Sequence, residues 1–178
     1  MRKKVILNIV ISGIFIGLIS ISSLIRIPIG TISITLQTLF VFLIGMMLGS
    51  KWGVITILCY LIIGLLGIPV FSNGGGLFYI LEPSFGYLLG FLLATFVIGL
   101  FVKKDKSFKR MILSGFIGLI IIYCTGLVYL FFISKYYYDI TIDGFDFLVY
   151  YFLIPLPIDI ISIFISSFVV KRLNIIIE

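Results

Sequence analysis

The stretch ISITLQTLFVFLIGMMLGSKWGVITILCYLIIGLLGI, residues 32–68, holds a single charged side chain, Lys51. It divides at Ser50-Lys51 into two apolar runs, 32–49 and 52–68. Each has the length of roughly 17 to 25 residues that a helix needs to cross a hydrocarbon core of about 30 Å. The connection is almost nothing, so the reading is two helices in a tight antiparallel hairpin. Four further apolar runs occupy 5–25, 85–102, 111–133 and 147–170. A membrane β-barrel would instead show segments of about ten residues alternating apolar and polar, and these runs do not alternate. The expected fold is an all-α membrane protein with six transmembrane helices in one domain, 1–178.

Composition requires the same solvent. Of the 178 residues 62% are hydrophobic and 11% charged, and the mean hydropathy is +1.35. A soluble domain keeps about a quarter of its residues charged. The net charge of +6 is placed by topology, not by a nucleic-acid partner. With the N-terminus inside, eleven of the thirteen Lys and Arg residues fall on cytoplasmic segments; only Arg26 and Lys135 fall outside. This is the positive-inside bias, and an even number of spans returns the C-terminus to the cytoplasm. The expected location is the cell membrane, with basic residues 103–110 anchoring the chain against membrane lipid. Three basic residues before the first apolar run suggest a secretory signal, but the run is too long and no small-residue cleavage site follows.

Two longer segments fall outside. One, 69–84, lies between Pro69 and Pro83 and contains Gly74-Gly75-Gly76, yet carries Val70, Phe71, Leu77, Phe78, Ile80 and Leu81. Irregular backbone at membrane depth is tolerated where it is buried in protein or lines a cavity, so a cap folded over the outer mouth is expected; the alternative is a flexible glycine turn. The other, 134–146, carries Asp139, Asp143 and Asp146. Within the spans the clear charge is Asp159, after the kink at Pro155-Leu156-Pro157, and intramembrane charges are usually functional. On this topology Arg26, Gln37, Asn73, Glu82, Tyr87 and Asp159 all lie toward the outer side. They suggest an apolar pocket with a few polar anchors; packing between helices is the alternative for any one of them. Ser12-Gly13 and Gly17 make a small-residue groove on the first helix, suited to close helix approach inside this bundle or to a separate membrane subunit.

Several chemistries are excluded. The chain has no histidine and only Cys59 and Cys124, isolated in different spans, so no zinc centre or disulfide framework is expected. Gly45-Met46-Met47-Leu48-Gly49-Ser50-Lys51 has the wrong order for a phosphate-binding loop, so the chain does not hydrolyse ATP. Nor is there a nucleophile with its base or a chain of buried acids. An enzyme is not expected, and the energy for any transport comes from elsewhere.

The ordered set Thr35-Leu36-Gln37-Thr38, Gly45, Leu48-Gly49, Gly53, Tyr60, Gly64, Gly67, Pro69-Val70-Phe71, Gly74-Gly75-Gly76, Pro83-Ser84-Phe85-Gly86-Tyr87-Leu88, Gly90-Phe91, Tyr123 with Gly126, and Pro157-Ile158-Asp159 resembles the BioY family. These are the biotin-binding S components of energy-coupling factor (ECF) transporters. The resemblance implies a six-helix S-component bundle that captures biotin from outside and docks on a transmembrane coupling subunit with two ATPase subunits. It implies docking through Gly13 and Gly17 and no cofactor beyond the transported ligand; of the polar residues on the outer side, Gln37, Asn73, Tyr87 and Asp159 are the expected ligand contacts. The chain departs from the family at Ser162, where a lysine is usual, and at Glu82 and Ser84 around Pro83. Arg26 or Lys135 is then expected to meet the biotin carboxylate, or the ligand is a related cofactor or precursor. A scaffold that uses the groove without a pocket is the remaining alternative.

Overall fold

The computed structural model describes residues 2–105, 107–139 and 143–177. Lys106, counted above among the inner cations, and residues 140–142 of the second outer segment lie outside that set. The chain opens with helix α1, Arg2–Leu24. Its buried residues are Ser12, Phe15, Ile19, Ser22 and Ser23, a narrow seam at three- and four-residue spacing. Val5, Ile9, Ile14, Leu18 and Ile21 are exposed around it, the distribution of a helix that meets lipid on most of its circumference.

Two short strands follow, β1 (Arg26–Ile29) and β2 (Ile32–Thr35), paired antiparallel with Ile29 opposite Ile32. This corrects the expectation of helix from residue 32. Ile32 and Ile34 are buried while Ser33 and Thr35 are only partly so, a two-residue period that suits a strand. Helix α2 spans Gln37–Leu65 but breaks at Gly49, whose φ of 71° and ψ of −172° lie far from helical values. The chain reverses there. Gln37 Nε2 donates to the Tyr60 hydroxyl at 2.6 Å, whereas an unbroken helix would hold residues 23 apart in sequence about 34 Å from each other. The arms 37–48 and 50–65 are therefore antiparallel. A Cβ on Gly99 of the neighbouring helix would lie 2.1 Å from the Ser50 nitrogen, so the reversal seats against a surface only glycine leaves open.

Residues 69–84 fold inward as well as across. Phe71 and Tyr79 are buried, with ring centroids 4.5 Å apart. The Phe71 ring fills the space where Gly64 lacks a side chain; an added Cβ would come within 2.0 Å of it. Gly76 N–H donates to the Gly64 carbonyl at 2.7 Å. A 3-10 helix, Leu77–Leu81, ends the segment, with Leu77 and Phe78 left exposed.

Helix α3 (Phe85–Lys104) packs between α2 and α4 (Phe108–Tyr136), and the last helix packs on both α2 and α4. The last apolar run is not continuous. A short helix α5, Gly144–Leu148, passes through a π-helical turn, Val149–Leu153, into α6, Leu156–Ile177. Prolines 155 and 157 cannot supply the N–H groups that an unbroken helix uses there. Counting α2 once and α5–α6 as one stretch, five helices among the described residues are long and apolar enough to cross a membrane.

Candidate ligand pocket

The strands, the start of α2, the starts of α3 and α6 and the middle of α4 meet at one end of the bundle. Between them is a partly open pocket whose apolar walls carry a few polar groups, the make-up of small-molecule sites. Its walls include Ile32, Ile34, Leu88, Phe91, Ile122 and Pro155. Polar groups enter this apolar lining in three clusters.

Asp159 stands in the first turn of α6 and is 5% exposed. Its Oδ1 accepts from Thr38 Oγ1 and its Oδ2 from the Tyr123 hydroxyl, each at 2.6 Å. Both partners are neutral. A carboxylate offers about four lone-pair positions, so two remain for N–H donors arriving from the pocket. The second cluster is built on the α2 reversal. Gln37 accepts from Thr35 Oγ1 at 2.9 Å and donates to Tyr60, whose hydroxyl donates to the Val70 carbonyl at 2.9 Å. In the third, the Tyr79 hydroxyl lies 3.0 Å from Ser72 Oγ and 3.1 Å from Ser84 Oγ.

The strand pair is held across the mouth at both ends. At its tip, the Tyr151 hydroxyl accepts from the Thr31 N–H at 3.4 Å and the Thr31 hydroxyl at 3.1 Å. The Tyr151 carbonyl in turn accepts from the Tyr87 hydroxyl at 3.2 Å. At its base, Arg26 Nη1 donates to the Ser72 carbonyl and to Asn73 Oδ1.

Of the expected ligand contacts, Gln37, Tyr87 and Asp159 line the pocket together. Arg26 and Asn73 bond each other at the exposed rim. Glu82 closes the 3-10 helix through its backbone and is not among the residues that line this pocket, although Ser84 just after it is. Lys135 also falls away, with its ammonium over the Phe131 and Tyr136 rings at 5.7 and 5.6 Å. Ser162 is buried and donates to the Ile158 carbonyl of its own helix at 2.9 Å. Thr38, Ser72, Tyr79, Ser84 and strand β2 were missed as lining groups. The alternation Ile32-Ser33-Ile34-Thr35 was the available signal for the strand; Thr38 and Ser84 stand within the ordered motif set, but nothing there pairs Thr38 with Asp159, 121 residues away. Gly13 and Gly17 face outward, with nothing within 4 Å of an added Cβ. Among the described residues no cluster of three or more potential ligands for a metal ion occurs.

A bundle of apolar helices with a partly open, hydroxyl-lined pocket at one end defines a membrane protein that captures a small molecule. It has the fold of the S components: a crystal structure described as the S-component for biotin from an ECF-type ABC transporter superposes with a TM-score of 0.85 at 27% identity, covering 98% of this chain and 94% of that one. The chain belongs to the BioY family, whose model matches residues 1–178. It is 42% identical over 133 residues to a probable biotin transporter BioY of Lysinibacillus sphaericus, covering 74% of this chain and 68% of the relative. To a biotin transporter BioY of Thermotoga maritima it is 43% identical over 130 residues, 72% of this chain and 75% of that protein.

Proposed function

We propose that this chain is the substrate-binding S component of an ECF transporter and captures biotin from outside the cell for uptake driven by partner subunits. It is a transport protein and transforms nothing. The observation that carries the ligand is Asp159: a buried carboxylate whose two hydroxyl partners leave acceptor capacity facing an apolar pocket. The ureido ring of biotin presents N–H donors of that kind. Gln37 and Tyr87 frame the ring, and the aliphatic tail runs past Ile32 and Ile34 toward the rim. There the carboxylate meets Arg26, displacing the neutral acceptors Ser72 and Asn73 that now hold the guanidinium. A cation is needed, since an unpaired carboxylate in such a site is costly.

Counting the two arms of α2 separately gives six crossings, both termini on the cytoplasmic side of the cell membrane, and a pocket facing out. The arm 37–48 rises only about 18 Å, so the strand pair sits at membrane depth, its two strands hydrogen-bonded to each other and β2 lining the pocket. The open face at Gly13 and Gly17 supports docking of α1 on a coupling subunit that carries two ATPases.

Titration of the purified chain with labelled biotin, desthiobiotin and lipoate tests the ligand. Biotin and desthiobiotin are expected to bind, and lipoate, which lacks the ureido N–H groups, to bind at least about a hundredfold more weakly. Lipoate binding as tightly as biotin would overturn the assignment of Asp159.

A further inference from the structure

At the end of the bundle opposite the pocket, α4 begins and α6 runs toward its close. Phe108, Phe168, Lys171 and Arg172 enclose a groove of about 650 Å³, counting its open side. The two cations are laid over aromatic rings. Lys171 Nζ stands 5.4 Å from the Phe108 centroid, and the Arg172 guanidinium 5.4 Å from that of Phe168. Near the α4 start, Leu100, Phe101, Lys103 and Arg110 line a second groove, again with two cations beside apolar side chains. The one nearby carboxylate among the described residues of the α3–α4 connection, Asp105, is turned onto its own loop. Its oxygens accept from the Ser107 N–H at 2.9 Å and hydroxyl at 2.7 Å.

We infer that the groove between α4 and α6 binds the phosphodiester headgroup of an anionic phospholipid. The reading is independent of the ligand assigned to the pocket. An ammonium and a guanidinium that line one groove suit a phosphate monoanion: the guanidinium fork can offer two parallel N–H contacts and the lysine a point charge. The aromatic floor excludes water from one side of the cations, which strengthens their attraction to an anion. A free anion explains only half of the surface. Phe168, Ile165 and Phe164 are exposed on the same helix, extending from the groove toward the bundle centre, which is where acyl chains descend from a headgroup held at the interface. Basic pockets between membrane helices are a recurring headgroup site.

The test is native mass spectrometry of the full chain, delipidated in detergent and titrated with phosphatidylglycerol or phosphatidylcholine. Phosphatidylglycerol is expected to be retained about tenfold more strongly, at roughly a fewfold gain per cation. The double variant Lys171→Gln, Arg172→Gln is expected to lose that preference while labelled-biotin binding stays unchanged, because residue 171 lies about 18 Å along α6 from Asp159. Lys171→Arg is expected to keep it. The inference falls if wild type retains both lipids equally, a comparison that needs no variant, or if the double variant retains phosphatidylglycerol as wild type does. It falls equally if millimolar inorganic phosphate displaces the lipid, which makes the occupant a free anion. Protection of Lys171 and Arg172 from acylation and dicarbonyl reagents only when a polypeptide co-purifies, and never by lipid, would assign the groove to a protein partner and overturn it.

Discussion

Asp159 reaches two hydroxyls on two other helices, and each contact fixes one carboxylate oxygen. Removing the carboxylate leaves Thr38 and Tyr123 without their acceptor and the ligand donors without theirs. An unmatched buried polar group costs about 1–3 kcal/mol. Asp159→Ala is therefore expected to weaken biotin binding by about tenfold or more, with the protein still inserted in the membrane; equilibrium titration of the purified variant reads the change. Tyr123→Phe removes one donor but leaves the acceptor in place and opens a lone pair, so its expected loss is smaller. The order of the two variants is the informative result, and equal losses would mean that Tyr123 contacts the ligand itself. Neither contact is visible in the sequence around Asp159. Pro155 and Pro157 mark where the helix restarts, but nothing in that string names Thr38 as a partner.

The strand pair and the α2 reversal show how differently two turns can be read from one chain. Ser50-Lys51 announced a sharp connection, and the break falls one residue earlier, at Gly49, whose positive φ costs other residues more than glycine. Gly99 completes that turn from across the interface. Gly99→Ala is expected to destabilise the bundle, because the intruding methyl meets backbone at 2.1 Å and not a side chain that can rotate away; the thermal midpoint in detergent should fall and the yield with it. The strands went unread because an apolar run of mixed Ile, Ser and Thr was continuous with the helix behind it. Their tip is held by one hydroxyl. Tyr151→Phe is expected to speed biotin release several-fold while changing the on-rate less, measured by chase with unlabelled ligand, since it frees Thr31 and leaves the pocket lining intact.

The whole molecule has two unlike ends joined by lipid-facing sides. The pocket, the strand pair and the capping segment gather at one, and the basic grooves at the other. Along α1, which touches the cap through Ser23 Oγ and the Val70 carbonyl at 2.8 Å, runs the open face of Gly13 and Gly17. Gly13→Leu or Gly17→Leu is expected to abolish co-purification with a coupling subunit while leaving biotin binding at wild-type strength, as neither site meets a neighbour inside this chain. Loss of binding together with docking would place those glycines in the bundle interior. Much of this organisation is legible in one dimension. Run length, charge placement, glycine and proline positions and an ordered motif set are properties of the chain read in order. They carry the membrane class, the apolar helices, the family and the candidacy of Gln37, Tyr87 and Asp159. Which side chains share a hydrogen bond is a different kind of quantity. Arg26 and Glu82 both lie toward the outer side by topology, yet Arg26 bonds Ser72 and Asn73 while Glu82 is not among the residues that line the pocket. Partner choice depends on distances of a few ångströms between segments up to 121 residues apart, and only the packed helices set those distances.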